Sequence, residues 1–456
     1  MGKDIISSMP NEIIAMILTL LTFKEAVRTS ILSRRWKNLW TFFFGFLTFD
    51  SSMKTLHMYR DRKTMKLKKC IRFVNRWEKF MSNLEHVLRS ITSPSLQGLR
   101  ICIDMGNPQK LADLIKFAAD KSVRVLDLDF SYHFISPFIG VSDRIRNVLS
   151  LTLVQMQSLR NLRVLRLAAV DVDDEVVHYF LATCRFLEIL FIKESRILEH
   201  LRVWGHGLRL KHLELVECKI SHIEIYAENL VTFRFNCFQK IETFNLEWVP
   251  SLTEASFGGQ YSCYLQSNMH DIVLHQLLSQ LLVLNLELRA FDLVINKNFP
   301  LVKNIQTFLQ GLHKFTNVKH LELTIPHVCG MELDRPISLL TAFPSICLLK
   351  LKFYRSRLGS LPMQPWVANL ECEFPNLREL EVSGYKRDPS QIEMLTSIFE
   401  NAPNLKKIAV DPLSAIHVHR SNDVKAWIRE RNHESTMWFV DGLKQDVPPH
   451  VELLVL

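Results

Sequence analysis

From about residue 96 onward the apolar positions repeat one figure, L-x-x-L-x-L, whose last two apolar residues alternate with polar ones as on a short strand with one buried face. It occurs at Leu96-Leu99-Ile101, Val123-Leu126-Leu128, Leu162-Leu165-Leu167, Leu187-Leu190-Ile192, Leu210-Leu213-Leu215 and Leu230-Phe233-Phe235. It continues at Leu252-Ala255-Phe257, Leu281-Leu284-Leu286, Val318-Leu321-Leu323, Ile346-Leu349-Leu351, Leu377-Leu380-Val382 and Leu405-Ile408-Val410. The middle residues step by 25, 23, 20 and 22 between 165 and 255, then by 37, 28, 31 and 28 between 284 and 408. A unit this short cannot bury its apolar face alone and must stack on its neighbours. The pattern predicts an α/β fold: an irregular solenoid of parallel strands whose connectors are helical in some repeats and β in others. Leu111, Leu114, Ile115 and Ala118 are spaced for a helix, and Asp173-Asp174-Glu175 opens another through Val176, Val177, Phe180 and Leu181. Ile220-Ile223-Ile225 and Ile241-Phe244-Leu246 instead alternate, so the connectors there read as strands.

The first 40 residues follow another pattern. Pro10 suits the first position of a helix, Glu12 sits where orphan backbone donors want a carboxylate, and Ile13, Ile14, Met16, Ile17, Leu18, Leu20 and Leu21 make that helix apolar on nearly all sides. Thr22-Phe-Lys-Glu25 has capping-box spacing, and Ser33 can cap a third helix carrying Trp36, Leu39 and Trp40. Units below about 40 residues seldom fold alone. Three such helices cannot cover one another's apolar faces, so the surplus must meet other protein.

At these residues the chain resembles the plant F-box and leucine-rich-repeat family, through Ile6, Ser7, Pro10, Glu12, Ile13, Lys24, Glu25, Ala26, Val27, Arg28, Thr29, Ser30, Leu32, Ser33, Arg35, Trp36, Leu39 and Trp40. Met9, Asn11, Ile14 and Thr22 depart from the pattern, in place of Leu, Asp, Leu and Pro. The likeness extends to Leu181-Ala-Thr-Cys184-Arg-Phe-Leu187-Glu188-Ile-Leu190. It also extends to an FBD-type segment through Leu377-Arg-Glu-Leu380, Gly384-Tyr385, Glu393-Met-Leu395 and Asn401-Ala402-Pro403-Asn404-Leu405. The resulting division is an F-box over 1–50, a basic helical linker region over 51–95, a leucine-rich-repeat solenoid over 96–412 with its FBD-like part at 374–412, and a tail over 413–456. The resemblance implies that the F-box docks the Skp-type adaptor of a cullin-RING ubiquitin ligase. Met9, Pro10, Ile13, Ile14, Ile17, Leu18, Leu21, Val27, Leu32, Trp36 and Leu39 would form that docking surface and the small core beneath it.

The net charge of +9 is uneven: residues 1–80 carry +10 and the remainder −1. The run Arg60–Lys79 holds most of the excess and reads as a solvated helix face with Leu67, Ile71, Val74 and Phe80 on its core side. Nuclear import or nucleic-acid association is the competing reading. The near-neutral solenoid could not extend a phosphate-tracking groove, which favours the helix face. No segment reaches 18 apolar residues, so no membrane span is expected. The run Ile13–Leu21 is bordered by Glu12 and followed by no A-x-A site, unlike a secretory signal, and Ile6 breaks a myristoylation pattern at Gly2. Nine scattered cysteines without a C-x-x-C pair fit a reducing compartment, nucleus or cytoplasm.

Catalytic signatures are missing: there is no G-x-S-x-G, H-E-x-x-H or G-x-x-x-x-G-K-[ST]. Asp171-Val-Asp173-Asp174-Glu175 lacks the Gly and Glu of a calcium loop and reads as helix capping. His417 and His419 have no nearby third ligand for zinc. No cofactor or metal is expected. The outward strand positions, where solenoids bind partners, include Phe191, His212, Glu214, Arg234, His320, Glu322, Glu379 and Glu381. Their mixed charge suits a folded protein or peptide substrate better than a polyanion. A small-molecule receptor of the same family type is a further reading, disfavoured by the absence of a Lys/Arg cluster on those strands.

Overall fold

The computed structural model describes residues 6, 9–50, 67–102, 108–131, 159–205, 207–237, 239, 241–259, 277–287, 314–327, 339–355, 373–385, 389–411, 442–444 and 446–456. The chain divides into two compact units, Met1–Leu230 with Glu242–Pro250, and Val231–Ile241 with Ser251–Leu456.

The first unit opens with helices α1 (Asn11–Thr19) and α2 (Phe23–Arg28), followed by 3₁₀ turns at Thr29–Ile31 and Trp36–Phe42. Pro10 stands just before α1 rather than inside it, its carbonyl accepting from the N–H groups of Ile13 and Ile14 at 3.1 Å. The capping box at Thr22 is present: the Thr22 N–H and hydroxyl donate to Glu25 Oε2 at 2.9 and 2.7 Å, and the Glu25 N–H donates to Thr22 Oγ1 at 3.4 Å. The expected third helix is present as a 3₁₀ helix. Its start receives a long bond, Trp36 N–H to Ser33 Oγ at 3.4 Å, and its length carries Trp36, Trp40, Thr41 and Phe42, residues of middling helix propensity.

The repeat figure forms strands at all twelve positions. In the first unit, β1 (Phe46–Asp50), β2 (Gly98–Cys102), β3 (Val125–Asp129), β4 (Val164–Ala168), β5 (Ile189–Lys193) and β7 (His212–Val216) pair in that order, all parallel. In the second, β9 (Thr232–Cys237), β11 (Glu254–Gly258), β12 (Val283–Glu287), β13 (His320–His327), β14 (Leu348–Arg355), β15 (Glu379–Ser383), β16 (Lys407–Asp411) and β17 (Glu452–Val455) do the same. The last two apolar residues of each figure face inward and are buried, as Leu165 and Leu167 or Leu321 and Leu323 show. Strand β1 was not foreseen as a repeat. It lies within the first 50 residues yet is an end strand of its unit's sheet, and Thr92, Ser93 and Gln97 bond back to the carbonyls of Thr41, Phe43 and Phe44.

Connectors match the pattern with two additions, one helix and one strand. Helices α3 (Leu67–Ser90), α4 (Pro108–Asp120), α5 (Asp174–Thr183) and α6 (Pro389–Asn401) are present, and α3 contains the described part of the basic run. In the first unit β6 (His200–Trp204), β8 (His222–Tyr226) and β10 (Thr243–Trp248) form a second parallel sheet in the order β10-β8-β6. The β8 and β10 connectors were expected, whereas β6 was not. Asp173 caps α5 through the Val176 N–H at 2.8 Å, Asp174 accepts from the N–H groups of Glu199 and His200, and buried Asp171 accepts from the Arg196 N–H at 2.7 Å. These carboxylates therefore organise the chain.

The one complete repeat unit, Leu210 to Ile220, places Cys218 where regular repeats carry Asn. Its thiol donates to the Ile192 carbonyl at 3.4 Å, and burial pushes it up to about 12. Burial likewise pushes Cys184 up to about 11, while burial with Asp129 and Asp50 nearby raises Cys102. The segments around His417 and His419, and from Asn422 to Trp438, lie outside the described residues.

Candidate functional site

The apolar helix α1 has two fates along its length. Ile14, Ala15 and Leu18 are buried with Ala26, Trp36, Leu39 and Phe43, and Phe23 meets the rings of Phe43, Trp40 and Phe49 at 5.3, 6.0 and 6.2 Å. On its other side Ile13 and Met16 reach solvent, as do Leu20 and Leu21 just past its end and Ile31 and Leu32 in the following turns, with Leu20 85% and Ile31 88% exposed. Of the residues expected to dock a partner, Ile14, Leu18, Trp36 and Leu39 therefore form the core, Pro10, Ile13, Leu21 and Leu32 are exposed, and Met9, Ile17 and Val27 are half-buried. Met16, Leu20 and Ile31 were absent from the expected set, although Met16 lies on α1 and Leu20 directly follows it. Arg35 ties the segment down by donating to the Met9 carbonyl and, at 3.0 Å, to Asn11 Oδ1. Exposed apolar side chains gathered within one short segment, residues 13–32, mark a place for a partner.

The second candidate surface is the open face of the strands. In the first unit Phe191, His212 and Glu214 lie on it, with the Arg166 guanidinium 5.8 Å from the centre of the Phe191 ring. In the second, Arg234, His320, Glu322, Glu379 and Glu381 all reach solvent. Neighbouring strands pair their charges: Arg234 with Glu254 at 2.9 Å, Glu322 with Lys352 at 2.6 Å, and Glu381 with Lys350 at 2.8 Å. Asn236 adds a bond to Glu287 at 2.6 Å. Paired side chains leave a polar face without a dominant sign of charge. Among the described residues no group of three His, Cys, Asp or Glu side chains is placed to hold a metal ion.

Residues 6–43 match the F-box domain, and residues 55–456 match the family described as At1g61320/AtMIF1, LRR domain. The chain belongs to the F-box/LRR-repeat family. It is similar to the Arabidopsis thaliana F-box/FBD/LRR-repeat protein At1g13780, 24% identical over 83% of this chain and 78% of the relative. The putative F-box/LRR-repeat protein At5g02930 of the same plant is 26% identical over 86% of this chain and 74% of its own length. The Arabidopsis F-box protein At5g03100 is 27% identical over 56% of this chain and 77% of its own length. F-box/LRR proteins are typically non-catalytic adaptors, and an F-box implies binding to a Skp-type adaptor. The exposed row from Ile13 to Leu32 of this F-box/LRR protein lies within the F-box match. Among the described residues no helix is long and apolar enough to cross a membrane.

Proposed function

We propose that this F-box/LRR protein is the substrate-recognition subunit of an SCF-type ubiquitin ligase in the nucleus or cytoplasm. Its F-box row docks the Skp-type adaptor and its open strand face holds a protein substrate. The observation that carries the reading is the separation of α1 into a buried side, Ile14 and Leu18, and an exposed apolar side, Ile13 and Met16, with Leu20, Ile31 and Leu32 exposed as well. Such a row gains when a partner removes it from water, at roughly 25 cal/mol per Å² of apolar area. The strand face needs no catalytic group in this role, because the ligase gains rate by raising the effective concentration of a target lysine near the loaded conjugating enzyme. Mixed, mutually paired charges favour a folded protein or peptide over a polyanion.

The test is co-purification of the full chain with a plant Skp-type adaptor and cullin. Wild type should retain both, and Leu20→Asp/Ile31→Asp should lose both while keeping its circular dichroism spectrum. Retention of the adaptor by that variant would sink the docking assignment.

A further inference from the structure

The β6-β8-β10 sheet carries a feature that neither the F-box nor the open strand face uses. Trp204, Tyr226 and Trp248 recur every 22 residues and occupy paired positions on the three parallel strands. A register shift between Leu246 and Trp248 brings the third ring into line opposite Tyr226. The rings stack in sequence at centroid distances of 6.1 and 6.5 Å, each pair inclined by 24°. Trp204 remains 58% and Trp248 49% exposed. Large aromatic side chains are the favoured anchors of protein interfaces, and a contiguous row of them on a surface marks an interaction site.

We propose that this ridge docks an extended, uncharged segment of another protein whose alternate side chains are apolar, lying along the ladder and across the strands. Three observations select that partner. The side chains on one face of an extended strand repeat about every 6.6–6.8 Å, close to the ring spacing, whereas a polyproline helix repeats a face only every ~9.3 Å. The rings already stack on one another, and inserting a further ring between two of them would need a gap of roughly twice the 4.5 Å minimum centroid distance, so bases and sugars cannot enter. Beside the ridge, two residues back along the paired strands, Arg202 is joined to Glu224 at 3.2 Å, so this cation is already neutralised and does not draw a phosphate chain.

The experiment measures fluorescence anisotropy of labelled synthetic nonapeptides with the full chain. One alternates valine and serine, and one has the same composition with the valines in a block. Oligoproline and oligothymidylate are the comparison probes. The alternating peptide should bind at least tenfold more tightly than the block peptide. Its binding should fall at least tenfold in Trp204→Ser/Trp248→Ser and return to within about threefold of wild type in Trp204→Phe/Trp248→Phe, which keeps flat rings on the ladder. Equal binding of the two valine peptides, undiminished binding by the serine variant, failure of the phenylalanine variant to restore it, or preference for oligoproline or oligothymidylate would overturn the proposal. Self-association of the chain that disappears in the serine variant would overturn it in favour of a second copy.

Discussion

Leu18 and Leu20 lie two residues apart on one apolar segment, yet truncating them should have very unequal consequences. Leu18 is fully buried among Ile14, Trp36 and Leu39. Replacing it by alanine removes transfer energy and leaves a cavity, a loss of about 2–5 kcal/mol. Leu20 is 85% exposed. Complete burial of a leucine is worth about 1.5–3 kcal/mol, so the small buried fraction accounts for roughly 0.2–0.5 kcal/mol. Native-state hydrogen exchange of the α1 amides reads the local stability of this small unit without requiring the whole chain to unfold together. Since about 1.4 kcal/mol is a factor of ten in an equilibrium constant, Leu18→Ala should lower α1 protection by roughly 30-fold to several thousand-fold, and Leu20→Ala by less than about threefold. Equal loss in both variants would show that the helix does not have the buried and exposed sides described.

Three further outcomes follow from local physics. Hydrogen bonds from the Thr22 side chain and N–H hold the Glu25 carboxyl below its usual value, so the capping box adds stability above the unfolded carboxylate's pKa and loses it as pH falls through the folded value. Thr22→Ala should flatten that part of the pH dependence of α2 exchange protection, and an unchanged profile would refute the linkage. Gly259 has φ of +66°, and a Cβ there would lie 2.0 Å from the Cys237 carbonyl oxygen. Gly259→Ala should therefore destabilise the second unit by at least about 1–3 kcal/mol in thermal denaturation, and an unshifted melting temperature would refute it. Cys218 and Cys184, buried and raised to about 12 and 11, should resist iodoacetamide at pH 8 in the native chain and react after unfolding. Mass spectrometry would expose an error if either were labelled at the rate of a free thiol.

The strands were legible because L-x-x-L-x-L states both where a residue is buried and which period it obeys, and Leu165 or Leu321 can satisfy that pattern only by facing inward. The end strand β1 was hidden because Phe46-Leu-Thr-Phe-Asp50 follows directly on aromatic 3₁₀ residues, with no preceding leucine to mark a repeat. The division of the F-box helix could not be read at all. Ile13 and Ile14, or Leu18 and Leu20, are equally apolar, so periodicity supplied the surplus without saying which side was buried, and the exposed Met16, Leu20 and Ile31 were missed. The aromatic ladder had a usable signal in the 22-residue recurrence of Trp204, Tyr226 and Trp248. It stayed hidden because nothing in the sequence marked 200–204 as a strand, and the rings lie on the second sheet rather than on the strands of the repeat figure. The third F-box helix was placed correctly and its pitch was left open, since a 3₁₀ turn and a short α-turn share the same apolar spacing over so few residues.

Hydrogen–deuterium exchange of the full chain with and without a bound Skp-type adaptor tests the central claim most directly. The account predicts that adaptor binding protects peptides spanning residues 9–32, where Ile13, Met16, Leu20, Ile31 and Leu32 lie, and leaves β12 to β16 unchanged. Protection confined to the repeat strands, with residues 9–32 exchanging as in the free chain, would contradict it.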